Sequence, residues 1–339
     1  IRRPPRSTLD RSSAASDVYK RQDLVIIGTH AIFQRDVVFQ DLGLTIVDEQ
    51  HRFGVHQRMS LRNKGRLPHQ LVMTATPIPR TLSMTLYADM ELSVIDEMPP
   101  GRAPIITSIK TNARRDEVVE GIGHEVTAGH QAFWICAAIE ESADSEIKAA
   151  ETVYRELKEK LPHLTVGLIH GRMKAFQKSA TMSQFKSGEI GLLVSTTVVE
   201  VGVDVPNATQ MVIDDPDRLG LAQLHQLRGR IGRGNFPSHC TLLYEAPLTE
   251  LAKSRLNVMR ETNDGFLIAE KDLELRGPGD IMGTRQTGER QFRVSDLSTD
   301  ISLFKDVVQT GDKMREADLE TVEAIIKAWT PPETSYASV

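Results

Sequence analysis

Apolar residues recur along this chain in two periods. Short, nearly unbroken apolar runs at 24–27, 44–47, 70–73, 105–110, 132–136, 166–169, 191–194, 211–213 and 240–244 read as buried parallel strands. Between them the period lengthens to that of a helix. The clearest case places Ile147, Ala150, Tyr154, Leu157 and Leu161 on one face, at steps of three and four, and stops at Pro162. Strands alternating with helices predict an α/β fold of open parallel sheets covered by helices on both faces. In such sheets ligands sit beyond the carboxyl ends of the strands, so chemistry is sought there first. The stretch Met98-Pro99-Pro100-Gly101-Arg102-Ala103-Pro104 can continue neither a helix nor a central strand and reads as a linker. After Pro247 the pattern turns mainly helical, which predicts a helical C-terminal appendage.

Composition narrows the class. The 339 residues are 40% hydrophobic and 26% charged, enough apolar material for packed cores and too much for wholesale disorder. The length suggests two domains and an appendage. No apolar run approaches the roughly 18–20 residues of a membrane span. The basic N-terminus has no apolar stretch of the kind a secretory signal carries. Cys136 and Cys240 both fall in apolar runs and read as buried reduced thiols of a cytoplasmic protein. The net charge of -5 divides into +4 over residues 1–22 and -9 over the rest. Any nucleic-acid binding must therefore come from local grooves rather than overall charge. Residues 1–22, rich in Arg, Ser and Pro and without periodicity, read as a non-native, adaptor-like segment. A basic DNA-binding arm is the rival reading, which deletion and a salt-dependent affinity measurement would separate.

Several strand ends carry candidate chemistry. Ile46-Val47-Asp48-Glu49-Gln50-His51 is an apolar strand closing on two carboxylates. The first could hold a hydrated Mg²⁺ and the second could orient a water toward a γ-phosphate; an acidic strand-end loop is the plain alternative. Thr74-Ala75-Thr76 repeats the layout at a proline-stiffened turn. Gly28-Thr29-His30, His170-Gly171-Arg172 and Ser195-Thr196-Thr197 end further strands with hydroxyls and cations that suit a nucleic-acid phosphate. Gly202 and Asp204 follow, the carboxylate suiting a ribose hydroxyl or an arginine. The sharpest pattern is Gln226-Leu227-Arg228-Gly229-Arg230-Ile231-Gly232-Arg233. Three arginines among glycines are hard to explain by packing, and guanidinium groups fork onto phosphate oxygens. His51 and His56 do not share a helix face, and no cysteines accompany them, so zinc is not expected. Asp214, Asp215 and Asp217 read as a turn around Pro216, and Phe176, Met182 and Phe185 as the core face of a helix.

Taken in order, these motifs resemble the superfamily 2 helicases. More narrowly, residues 23–339 resemble the RecG family of bacterial branch-migration helicases. Asp264-Gly265-Phe266, Ala269 to Asp280 and Gly283-Thr284-Arg285-Gln286 look like that family's translocation motif. The resemblance implies two RecA-like domains: the C-terminal half of the first over 23–100, a complete second one over 101–246, and a helical hairpin with a coupling loop over 247–339. It implies ATP and Mg²⁺ as cofactors, with Asp48 binding the metal through water and Glu49, Gln50 and His51 beside it. Arg230 and Arg233 would reach the γ-phosphate, Arg233 as arginine finger, with Gly202, Asp204 and Gln226 near the nucleotide. Thr29, His30, Arg172, Thr196 and Thr197 would contact a DNA backbone. Thr74, Thr76, Arg276, Arg285 and Gln286 would couple the nucleotide cycle to movement on duplex DNA. Implied partners are branched and duplex DNA and, by family resemblance, a single-stranded DNA-binding protein, the complete protein acting as a monomer near the bacterial nucleoid.

The departures from the family pattern carry their own expectation. No G-x-x-x-x-G-K-[ST] loop occurs in these 339 residues, nor the family's branch-reading wedge domain. The chain by itself is therefore expected not to hydrolyse ATP. The alternatives are the motor of a transcription-repair coupling translocase and a non-catalytic truncation that only grips DNA or a partner.

Overall fold

The strand Gln131–Cys136 shows why this sequence makes a two-faced sheet. All six of its residues are buried, and alternate side chains enter different cores. Phe133 and Ile135 join one cluster, and Ala132, Trp134 and Cys136 the other. A strand can be apolar at every position only where both of its faces are covered.

The computed structural model describes residues 25–34, 36–49, 53, 60–61, 63–75, 91, 93–95, 97, 102–137, 143–197, 205–276, 303–315 and 319–329. Contacts divide the chain into two units, Ile1–Pro77 and Ile78–Val339. In the first unit, β1 (Leu44–Val47) and β2 (His69–Val72) pair in parallel, with Val47 opposite Val72. Thr45 and Val47 are buried, whereas Leu44, Ile46, Leu71 and Met73, on the other face, are exposed. Of the apolar run at 24–27, the described residues do not form the buried strand that the pattern predicts. Residues 25–27 have no regular structure, and Ile27 is 93% exposed. A run of branched residues supplies strand propensity, but propensity becomes a strand only against a partner, and β1 and β2 pair only with each other among the described residues.

The second unit contains β3 (Ile105–Thr111), α1 (Arg115–Thr127), β4 (Gln131–Cys136), α2 (Ala143–Lys160), β5 (Val166–Ile169), α3 (Ala175–Ser187), β6 (Leu192–Thr196), β7 (Ala208–Asp214), α4 (Leu221–Arg228), β8 (Ser238–Tyr244), α5 (Glu250–Glu261) and α6 (Gly265–Arg276). Its six strands lie in the order β3-β8-β7-β4-β6-β5, every pair parallel. Helices α1 and α2 close one face through Val118, Val119, Ile122, Ala150 and Leu157. The other face is closed by α3, α4, α5 and α6 through Phe185, Leu221, Leu224, Leu256, Met259 and Ile268. This is the predicted RecA-like, doubly covered sheet. Two further helices follow, α7 (Phe304–Arg315) and α8 (Leu319–Trp329). Among the described residues no helix is long and apolar enough to cross a membrane.

Three side chains sit otherwise than their sequence pattern predicts. Phe176 is 68% exposed, while Phe185, on the same helix, is fully buried. Asp214 is no simple turn residue. It accepts two hydrogen bonds from the Arg115 guanidinium, at 3.0 and 3.2 Å, and one from Trp134 Nε1 at 2.8 Å. Arg228, grouped by sequence with the phosphate-directed arginines, is 2% exposed and is a packing element after all. The two cysteines line opposite faces of the sheet, and burial pushes the Cys240 thiol up to about 12.

Candidate functional site

In the first unit Asp48, Glu49 and Thr74 lie just beyond the carboxyl ends of β1 and β2. Asp48 follows β1, and its Oδ1 accepts a hydrogen bond from the Glu49 amide at 2.8 Å. Glu49 has φ +52°, left-handed backbone that a glutamate adopts at a cost of about 1 kcal/mol or more. Strain of this kind concentrates where geometry is needed for function. Asp48 is exposed, so its carboxylate can meet a hydrated divalent cation from the solvent side. The β1–β2 register brings Thr74, just beyond β2, to the neighbouring strand tip, and it too is exposed. Thr29 and His30 are exposed at the start of a short 3₁₀ turn, His30–Phe33. The His30 ring lies 4.7 Å from Phe53, and Phe53 lies 5.0 Å from Phe33. Sequence reading missed this aromatic cluster, although Phe53 follows the Asp48–His51 motif by two residues. Gln50, His51 and Thr76 lie outside the described residues.

In the second unit the candidates separate to opposite edges of one sheet. At the carboxyl edge, β5 and β6 are neighbours, with Ile169 opposite Ser195. That register sets His170 beside Thr196, with Arg172 in the turn that follows, where the Met173 amide donates to the His170 carbonyl at 3.2 Å. Arg172 is exposed, Thr197 half-buried and Thr196 buried. The Thr196 hydroxyl and His170 Nδ1 are buried polar atoms with no hydrogen-bond partner among the described residues. Such atoms carry a desolvation cost that a ligand oxygen would relieve.

The arginine loop lies at the amino edge, not the carboxyl edge where the strand-end rule directs attention. Helix α4 runs back across the sheet, and the loop after it precedes β8. A Cβ on Gly232 would stand 3.0 Å from Ile105, the first residue of β3, and 3.7 Å from Ser238, the first of β8. A Cβ on Gly234 would stand 2.5 Å from the Pro206 carbonyl oxygen, two residues before β7. Gly232 has φ +68°, which a side chain would strain. Glycine is thus required at both positions, once for close approach and once for backbone conformation as well. Arg230 is half-buried and Arg233 exposed, with Arg233 Nε 3.4 Å from the Gly229 carbonyl. Gln226 is half-buried in the last turn of α4.

Arg228 turns inward from the same loop. Its Nη1 donates to Met259 O at 2.7 Å, Thr262 O at 3.0 Å and Thr107 Oγ1 at 3.2 Å, and its Nη2 lies 3.3 Å from His225 Nδ1. The carbonyls belong to the end of α5, where helices leave acceptors unfilled. Burial, helped by the Arg228 charge, pushes the His225 imidazole down to about 4. A neutral ring accepting from Arg228 fits that environment. Gly202, Asp204, Arg285 and Gln286 lie outside the described residues. Arg276 ends α6, its side chain outside them too.

Comparison with known proteins places the chain in a family. Residues 113–235 match the "Helicase conserved C-terminal domain" and residues 262–327 match "ATP-dependent DNA helicase RecG, domain 3, C-terminal". The ATP-dependent DNA helicase RecG of Escherichia coli strain K12 is 54% identical over 319 residues, 93% of this chain and 46% of that protein. The chain belongs to the RecG helicase family. The Bacillus subtilis RecG is 48% identical over 295 residues, 87% of this chain and 43% of that protein. The chain thus spans about half the length of the curated RecG relatives it matches. A solved structure of a RecG bound to a three-way DNA junction superposes with a TM-score of 0.64 at 44% identity, over 86% of this chain and 37% of that one. The helicase MrfA bound to DNA and AMPPNP shares the fold alone, at 15% identity and a TM-score of 0.55, over 78% of this chain and 42% of that one. The RecG domain 3 match covers α6, α7 and most of α8.

Proposed function

We propose that this chain is the motor part of an ATP-dependent DNA translocase that remodels branched DNA, such as stalled forks and Holliday junctions, in recombination and repair. The observation that carries the reading is the two-edged second sheet. A cationic, glycine-tight loop suited to nucleotide phosphates occupies one edge, and the other holds the Thr196 hydroxyl and His170 imidazole, unpartnered among the described residues, with Arg172 in the turn after His170. A motor needs nucleotide and track on separate surfaces, so that a change at one can move the other.

In this reading Asp48 would hold a hydrated Mg²⁺, which would supply charge neutralisation at the phosphates. Glu49 orients the attacking water and takes up its proton. Arg230 and Arg233, Arg233 foremost, offset charge that develops on the transferred phosphoryl group. Gly202, Asp204 and Gln226 border the nucleotide. Thr29, His30, Arg172, Thr196 and Thr197 grip the DNA backbone. Thr74, Thr76, Arg276, Arg285 and Gln286 couple the two. The match to RecG domain 3 favours this reading over a transcription-repair translocase.

The 339 residues contain no phosphate-cradling G-x-x-x-x-G-K-[ST] loop. We therefore expect no ATP hydrolysis from this chain on its own. Joining residues 23–339 to the N-terminal half of the E. coli relative is the test. DNA-stimulated ATP hydrolysis that falls at least about 100-fold with Glu49→Gln or Arg233→Ala supports the motor. Hydrolysis indifferent to both substitutions overturns the assigned roles. DNA binding with no hydrolysis at all supports the non-catalytic reading instead.

A further inference from the structure

The arginine loop is held from outside by a residue to which sequence reading assigned no role beyond the linker. Arg102 lies three residues before β3, at the end of the Pro99-Pro100-Gly101 stretch that reads as a linker. Its Nε donates to the Gly232 carbonyl at 2.9 Å, and its Nη2 lies 3.4 Å from the Gly229 carbonyl. Gly229 caps the C-terminus of α4, where carbonyls face outward and the helix dipole favours a cation. Arg233 Nε lies 3.4 Å from that same Gly229 oxygen. Two guanidinium groups therefore share one acceptor, with Arg102 bonded at closer range one turn further along the loop.

We propose that Arg102 is a positioning residue for the arginine loop. It fixes the backbone at Gly229 and Gly232, the two glycines that bracket Arg230. It also keeps the Gly229 carbonyl satisfied when Arg233 swings away toward a phosphate. Without that substitute partner, Arg233 leaves behind an acceptor at the helix end, and its departure costs more. Arg102 touches neither nucleotide nor DNA in this account, and its effect on rate passes through Arg230 and Arg233. Because Arg102 stands on the segment leading into the second sheet, a pull on that segment reaches the loop directly through the guanidinium. The neighbouring contacts leave the loop little slack: Ile105 packs where a Gly232 side chain would be, and Pro206 where a Gly234 side chain would be.

The inference rests on the motor reading, and two measurements keep them distinguishable. In the chain itself, Arg102→Gln and Arg102→Ala are expected to speed amide exchange at residues 229–234 about tenfold, with little change in β4, β6 and β7. In the chimera with the E. coli N-terminal half, the same substitutions are expected to lower kcat for ATP about tenfold and leave KM within about twofold. Arg102→Lys, which keeps one charged donor for Gly232, is expected to recover part of both. Unchanged exchange at 229–234 overturns the tether. Unchanged kcat with faster exchange overturns the effect on rate. Equal behaviour of the Lys and Ala variants, or exchange that speeds up across the whole sheet, shows a merely structural side chain and also overturns it. An unsubstituted chimera without ATP hydrolysis overturns the motor reading and the rate effect, while the exchange comparison still decides the tether.

Discussion

Arg228, Arg230 and Arg233 fall within six consecutive positions and have three different surroundings. Arg228 is enclosed with a hydroxyl, two carbonyls and an imidazole. Burial pushes its pKa down from the ordinary arginine value, yet its hydrogen bonds fill acceptors at the end of α5. Replacing it by Met keeps the bulk and strands those carbonyls. We expect Arg228→Met to cost about 2–4 kcal/mol in urea unfolding, and Arg228→Lys less, since an ammonium can fill some of them. The sequence shows the arginine spacing but not that Met259 and Thr262, some thirty residues on, return to Arg228; that is why a packing residue looked like a phosphate ligand. His225 titrates against the same surroundings. Its folded pKa of about 4 lies below the unfolded value of 6.5. The unfolded chain therefore takes up a proton first as pH falls. The stabilisation is complete above about 6.5, is lost on descending toward 4, and amounts to about 2 kcal/mol after allowing for partial exposure. His225→Gln should flatten that stretch of the stability–pH curve.

At the level of elements, apolar pattern was a good guide wherever both faces of a strand are covered. The runs at 132–136, 166–169 and 211–213 all fall in strands of the second sheet, because a covered strand must be apolar on both sides. The run at 24–27 has the same pattern, and its described residues, 25–27, make no strand. Pairing is a long-range property, and Val25 and Ile27 are exposed without it. The candidate site was legible in residue type more than in place. Strand-end carboxylates and hydroxyls sit where the strand-end rule puts them, but the arginine loop sits at the other edge, because a helix returns the chain across the sheet before the next parallel strand begins. Its placement depends on close approach. Gly234→Ala would put a Cβ 2.5 Å from the Pro206 carbonyl oxygen, and backbone cannot turn aside as a flexible side chain can. We expect a loss of about 1–3 kcal/mol in thermal or urea unfolding. Rate in the chimera should fall more than nucleotide affinity does, since Arg230 and Arg233 move with the loop.

For the molecule as a whole, the second sheet ties function to architecture. Parallel strands have two distinct edges, and this sheet carries different chemistry on each: His170, Arg172, Thr196 and Thr197 at or beyond the carboxyl ends, Arg230 and Arg233 before the amino ends. A single basic patch that gripped DNA with all of these residues would make their contributions interchangeable. Two separate surfaces make them separable. In the chimera, Arg172→Ala should weaken DNA binding by a similar factor for every sequence. It should also reduce the slope of log affinity against log salt by about 0.9, the signature of one lost phosphate contact. Its KM for ATP should stay within about twofold. Arg233→Ala should leave both the affinity for DNA and its salt slope where they were, while abolishing turnover. Salt titrations of the two variants, measured beside their ATP hydrolysis, distinguish the cases. If Arg233→Ala lowers the salt slope as Arg172→Ala does, the arginine loop is a DNA-binding element and the two-edged motor fails.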